Sequence, residues 1–347
     1  MKKQICILLI ALALLGSAGS CARQSAKPLE ADNFVLGTIV TQTIYGNAAQ
    51  QVADDVWTEL NRLEALLTVN ASGGDANLLN ARAGQGLVPM EFDTLQVLES
   101  ARKISALSQG RALDITVGPL VKAWGIGTDH AQVPSAQLIR ELLPLVNYQD
   151  VRIDRDQASA ELTQAGQMVD LGGIAKGYAG DVVRDIYRQH GLTSAFINIG
   201  GNVVTLGARP DGNPWHIGIQ NPRSETGEIV GYVSVVNQAV VTSGDYQRYF
   251  FAENGQRYCH IIDPTTGYPA ESGLMSVTVI TESSTDADGL SKAFILGLEG
   301  GRELLRSYGQ AEGVFITTDK KIYVTPGLRG DFHFEDASHA YTYIQEG

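Results

Sequence analysis

Asp170-Leu171-Gly172-Gly173-Ile174-Ala175-Lys176-Gly177-Tyr178 joins strand-like sequence to the start of a helix, and the fold turns on how this joint is read. A carboxylate, glycines and a lysine meet where the helix begins. Glycine lets a phosphate or a metal approach the backbone, and a helix N-terminus favours anionic groups. The spacing is neither that of a Walker loop nor that of a dinucleotide fingerprint, so a tight structural turn stands beside the anion-binding reading.

On the N-terminal side, apolar residues at three- and four-residue spacing (Val52, Val56, Leu60, Leu63, Leu67) predict a helix over 50–67. Leu95, Leu98, Ile104 and Leu107 predict another over 93–107, and 135–146 reads as a shorter one broken by Pro144. Further helices are expected after Gly173 and from Asp286 through Leu296. Runs rich in β-branched and aromatic residues predict strands at 39–45, 195–199, 203–206, 229–236, 275–280 and 314–316. Many have hairpin spacing with glycine joints at Gly200-Gly201, Gly212 and Gly244. The expectation is therefore an α+β fold, with mostly antiparallel sheets and flanking helices in a single large domain, rather than alternating βαβ units. There is no internal repeat and no long linker.

The 347 residues include 26 basic and 38 acidic ones, a formal charge of −12, which argues against nucleic acid as a partner. An anionic ligand would be repelled unless a metal ion or local donors offset this field. Residues 1–20 read as a signal peptide, with Lys2 and Lys3 ahead of an apolar run from Ile5 to Leu15 that is short for a permanent membrane span. Ala18-Gly19-Ser20-Cys21 resembles a bacterial lipobox with Cys21 as the lipidated residue, beside the alternative of ordinary cleavage. Residues 21–30 then form a tether, and 31–347 the functional domain. With Cys6 removed and Cys21 acylated, Cys259 is the single remaining thiol and no intrachain disulfide forms.

Three more clusters carry candidate chemistry. Asp114-Ile115-Thr116-Val117-Gly118-Pro119-Leu120, running to Trp124, is either a site or a buried turn with a Trp anchor. His260-Ile261-Ile262-Asp263-Pro264-Thr265-Thr266-Gly267 places a histidine three residues from an aspartate; such a histidine is either structural or a base. Thr285-Asp286-Ala287-Asp288-Gly289-Leu290-Ser291-Lys292 opens a helix. Asp286 or a neighbour caps it, or Asp288 and Ser291, three apart, converge on a hard cation such as Mg²⁺.

In this order, together with Leu36-Gly37-Thr38, Asn198 to Asn202 and Ser243-Gly244-Asp245-Tyr246, these segments resemble the bacterial FAD:protein FMN transferases, the ApbE thiamine-biosynthesis lipoprotein family. The resemblance implies an exported, Mg²⁺-dependent enzyme of the cell envelope, lipid-anchored to a membrane and facing the periplasm or the outside. It would cleave FAD and attach FMN to a threonine of a partner flavoprotein of an electron-transfer chain, releasing AMP. It also implies that the Gly173 carbonyl, Asp288 and Ser291 hold the metal, with Lys292 at the metal site. FAD would meet Leu36 through its backbone, Asn70, Ala112, Leu113, Asp114, Asp170, Lys176, Ile261 and Ile262, and His260 would be the base.

The chain departs from the family twice. Members commonly carry threonine where Lys292 stands, so this lysine points away, pairs with Asp288 or takes part of the metal's place. Members often carry an aromatic residue where Asn70 aligns. Two other outcomes stand beside transfer: a Mg²⁺-dependent FAD pyrophosphatase, in which water replaces threonine, and an FAD-binding lipoprotein without turnover.

Overall fold

Nine strands pair in the order in which the chain makes them. They are β1 (Leu29–Val35), β2 (Thr38–Ile44), β3 (Ala195–Ile199), β4 (Asn202–Leu206), β5 (Ala239–Gly244), β6 (Leu274–Thr281), β7 (Glu312–Thr317), β8 (Lys321–Val324) and β9 (Thr342–Ile344). Every neighbouring pair is antiparallel except β8 and β9. The computed structural model describes residues 27–345 apart from 226. The signal peptide, Cys21 and the first part of the tether lie outside them.

Both faces of the sheet are covered, which explains why its central strands read as continuous apolar runs. Alternation sorts the residues: Val204, Val241, Val277, Val279 and Phe315 face a helical layer. Val203, Val240, Met275, Ile280, Val314 and Ile316 face a small sheet made of Phe332–Phe334, Ile229–Val235 and Trp215–Gln220. The helical layer holds α1 (Ala49–Leu67), α2 (Asp75–Ala81), α3 (Phe92–Ser108), α6 (Ala175–Gln189), α7 (Ser284–Leu290) and α8 (Gly297–Tyr308). Two short helices, α4 (Gly118–Trp124) and α5 (Ala136–Leu142), build a separate apolar cluster with Ile262. None of the described helices is long and apolar enough to cross a membrane.

The α+β expectation holds, with four local corrections. The 135–146 helix stops at Leu142 and tightens to a 3₁₀ turn, Leu143–Leu145, at Pro144. The helix expected from Asp286 through Leu296 is instead α7 followed by a 3₁₀ turn, Ser291–Leu296, and Ser283 rather than Asp286 is its cap. Ser291 Oγ donates to the Asp288 carbonyl at 2.6 Å, a side-chain bond that competes with the helical ladder at that point. The Gly118–Trp124 cluster is a helix rather than a turn, with proline in its first turn. Finally, β1 begins at Leu29, inside the stretch read as tether. Its charged, mostly exposed residues are those of an edge strand, whose composition resembles a linker.

Candidate active site

The 170–178 joint is held by its own groups. Asp170 Oδ1 accepts the Gly172 N–H at 2.8 Å, and the Asp170 N–H donates to the Ile115 carbonyl at 2.7 Å. Packing requires the following glycine: a Cβ at Gly177 would lie 2.3 Å from the Ser284 carbonyl oxygen and 2.6 Å from Asp288 Cβ. Helix α7 therefore crosses α6 at Gly177 with the backbones nearly touching. Asp181, one turn further along α6, accepts the N–H groups of Ser284 and Thr285, both at 2.9 Å, and the hydroxyls of Ser283 and Thr285. A carboxylate thus satisfies the open donors at the start of α7 and sets where that helix lies.

This crossing delivers Asp288. Its side chain is buried, and Oδ2 accepts the Gly177 N–H at 2.9 Å. Lys292 folds back over it, so it pairs with Asp288 and does not point away. Lys292 Nζ lies 3.0 Å from the Asp288 carbonyl, 3.4 Å from Asp288 Oδ1, 3.1 Å from Ser291 Oγ and 3.2 Å from Ser243 Oγ. Ser243 and Ser291 are themselves bonded at 2.7 Å. Burial alone would raise the Asp288 carboxyl, but Lys176, then Lys292 and the Gly177 N–H, hold it below its ordinary range. Burial lowers Lys292, with Asp288 opposing and Lys176 adding to the effect. Gly173 lies against the aliphatic stem of Lys292: a Cβ there would be 3.1 Å from Cε.

The opposite wall is made of loops. Trp124 is fully buried and donates from Nε1 to the Gly267 carbonyl at 2.8 Å, which clamps the His260–Gly267 loop to the Asp114–Trp124 segment. Of the buried-turn reading, the Trp anchor holds, and it places the loop. Asp114 is engaged by its own surroundings, accepting the Thr116 N–H and hydroxyl at 2.9 and 2.6 Å and the Tyr148 N–H at 2.9 Å. Burial raises its carboxyl and these bonds pull it back, so it orders the loop and leaves Ala112 and Leu113 to line the space beside it.

His260 stands half-buried, with Nδ1 3.2 Å from the Arg248 carbonyl. Its pKa is pushed down to about 4, first by burial and then by the charges of Lys292, Lys176 and Arg248. The imidazole is neutral at pH 7. Arg248 donates to the Gly37 carbonyl at 3.2 Å, tying this wall to the β1–β2 turn. In that turn Leu36 and Gly37 both have positive φ, 57° and 66°. A two-residue hairpin turn of this type requires that conformation, which is strained for leucine.

These walls enclose one cavity of about 1440 Å³, larger than a typical drug-sized pocket. Leu36, Asn70, Ala112, Leu113, Asp114, Asp170, Gly173, Lys176, His260, Ile261, Ile262, Asp288 and Lys292 all line it. Ser291 lies behind that surface, fully buried against Ser243. Burial raises Asp170, with the Gly172 N–H, Lys176 and Arg248 opposing.

Among the lining residues to which sequence reading gave no role are Arg248 and Asn202. Arg248 carries no local pattern that would single it out. Asn202 is buried, lines the cavity beside Asp288, and its side chain helps to hold that carboxyl down. Its sequence signals are its place in the Asn198-to-Asn202 segment and its polarity directly after Gly200-Gly201, ahead of apolar Val203 and Val204.

A large pocket with a lysine at a helix N-terminus, a buried carboxylate among cations and a neutral histidine defines an enzyme site for a bulky, phosphate-bearing ligand. The chain belongs to the ApbE family, whose pattern it matches over residues 36–315. It is 36% identical over 306 residues to the FAD:protein FMN transferase of Klebsiella pneumoniae (strain 342), covering 88% of this chain and 94% of that protein. It is 34% identical over 338 residues to the enzyme of the same name from Treponema pallidum (strain Nichols), covering 92% and 93%. The crystal structure of the ApbE protein of Thermotoga maritima superposes with a TM-score of 0.81 at 30% identity, covering 86% of this chain and 97% of that one. The apo flavinyl transferase ApbE of Pseudomonas stutzeri superposes at 0.74 and 32% identity, covering 84% and 91%.

The oxygens around Asp288 have the hard character that Mg²⁺ takes, at about 2.0–2.1 Å in an octahedron. Lys292 Nζ is already hydrogen-bonded to four of them, and an ammonium has no lone pair with which to ligate. With its lysine in place, this donor set does not fit a divalent ion. Among the described residues, no three His, Cys, Asp or Glu side chains gather elsewhere to hold one.

Proposed function

We propose that this chain is a FAD:protein FMN transferase that attaches FMN to a threonine hydroxyl of a partner flavoprotein and releases AMP. The observation that carries the reading is the convergence of a neutral His260 and the Lys176 and Lys292 cations on one cavity of dinucleotide size. His260 takes the threonine proton. The threonine oxygen forms a bond to the FMN phosphorus, the bond from that phosphorus to the bridging oxygen breaks, and AMP leaves with that oxygen. Charge on the phosphoryl oxygens rises along this path, and fixed cations beside them lower the barrier.

His260 suits the first step because it is already deprotonated, and the bound diphosphate offsets the cations that depress its pKa. The N–H groups at the start of α6 supply donors to the diphosphate. The Leu36–Gly37 turn and the Ala112–Asp114 segment supply backbone along the rest of the cavity.

The sequence of residues 1–21 supports export and acylation at Cys21, and the family resemblance implies an acceptor in the electron-transfer chains of the cell envelope. The test is incubation of the mature protein with FAD and a threonine-bearing acceptor. Flavin fluorescence that stays on the acceptor through denaturing electrophoresis is the expected result. Free FMN and AMP without labelled acceptor would reassign the chain as a pyrophosphatase, and intact FAD would make it a carrier.

A further inference from the structure

We infer that Lys292 is this enzyme's resident cation: its ammonium occupies the oxygen cluster of Asp288, Ser291 and Ser243, and FAD binding and cleavage proceed with no divalent metal there. The inference rests on the transferase reading for what the cation does, and on the geometry alone for where the cation is.

Three features of the geometry carry it. The acceptors around Nζ are a carboxylate, a backbone carbonyl and two hydroxyls, at 3.0 to 3.4 Å. This is the donor set expected of a hard-cation site, and four acceptors call for all three hydrogens of a charged ammonium. The lysine is also built in. Its stem passes Gly173, where a Cβ would come within 3.1 Å of Cε, and its side chain is only 14% exposed. A surface ion pair between flexible chains would have neither restriction. Lastly, Lys292 and Ser243 line the cavity while Ser291 backs them, so the positive charge faces the space that the diphosphate needs. An ammonium placed there does for the phosphoryl oxygens what a bound ion would do, without an ion having to be acquired.

The test uses Mn²⁺ as a spectroscopic probe on the mature protein, with FMN transfer measured in parallel. The wild type should show no stoichiometric Mn²⁺ signal by electron paramagnetic resonance, and its transfer rate should be the same in EDTA as in millimolar Mg²⁺. Lys292→Thr should gain a Mn²⁺ site at least about tenfold tighter than any in the wild type, lose about a hundredfold in transfer without metal, and recover when Mg²⁺ is added. Lys292→Arg, which keeps the charge, should stay insensitive to EDTA and indifferent to Mn²⁺.

The inference is overturned if the wild type binds Mn²⁺ as tightly as Lys292→Thr, or if EDTA stops its transfer and Mg²⁺ restores it. Should Lys292→Thr fail to fold, the wild-type Mn²⁺ titration and Lys292→Arg decide by themselves. Absence of transfer under every condition would instead count against the transferase reading, and the Mn²⁺ comparison would still test where the cation lies.

Discussion

The two walls of the cavity are built differently. The helical wall is a closed system: Gly177 lets α7 sit directly on α6, Asp181 takes the donors at the start of α7, and the oxygens around Asp288 share the Lys292 ammonium. The loop wall is open. His260 and Arg248 flank a short hairpin, Tyr249–Phe251 paired with Arg257–Cys259, which is tied to the other walls by the bonds from Arg248 to the Gly37 carbonyl and from Trp124 to the Gly267 carbonyl. Charge that must meet the diphosphate is set on rigid elements, where it needs no reorganisation, whereas the group that moves a proton sits where an acceptor protein can reach it. On the proposed chemistry, the helical wall governs stability and FAD binding and the loop wall governs transfer.

The largest expected break in that division is on the loop wall. His260→Ala should lower FMN transfer by about 10²- to 10⁴-fold, measured in single turnover, while FAD affinity by fluorescence titration changes by less than about threefold. A parallel loss of affinity would place His260 among the binding groups. On the helical wall, Asp181→Ala should cost about 2–3 kcal/mol of stability in urea melts, because four donors of Ser283, Ser284 and Thr285 at the start of α7 lose their acceptor. Its transfer rate well below the melting transition should stay near that of the wild type.

The pH profile sharpens the contrast. His260 is held at about 4 in the free protein, so the acid limb of kcat/KM should lie near that value. The limb of kcat should lie higher, because the bound diphosphate opposes Lys292, Lys176 and Arg248. Coincident limbs would mean that these cations do not face the substrate. The same depression makes a stability statement: the unfolded histidine takes its proton near pH 6.5 and the folded one near 4. Its contribution is therefore complete above about 6.5 and is lost as pH falls through 4. The smallest effect is expected at Cys259, beside His260. Its thiol is buried and burial raises its pKa, so thiol-blocking reagents should react slowly and leave the transfer rate unchanged.

Much of this was legible in the sequence where periodicity is regular. The 50–67 and 93–107 patterns became α1 and α3 within one residue at each end, because an amphipathic helix announces its buried face. The edge strand β1 was not legible, since its half-exposed residues carry the composition of a linker. Nor was α4, whose Gly-Pro start and single tryptophan look like a turn until Gly267 accepts the indole N–H. The candidate site residues were named one motif at a time, and apart from Ser291 and Cys21 they line one cavity. Arg248 escaped because nothing local marks a lone arginine, and Asn202 because its segment did not show which of its residues turns toward Asp288.

The sequence by itself determined which residues carry charge, which glycines punctuate the chain, and which family the ordered motifs belong to. These are properties of short segments, and a segment's chemistry survives without its neighbours. Only the tertiary structure decided that Gly177 serves a helix crossing, that Asp114 orders a loop, and that Lys292 sits inside the Asp288 oxygen cluster. Each of these depends on contacts between residues that are distant along the chain or return to one point through a turn, and side-chain direction there is set by packing rather than by spacing.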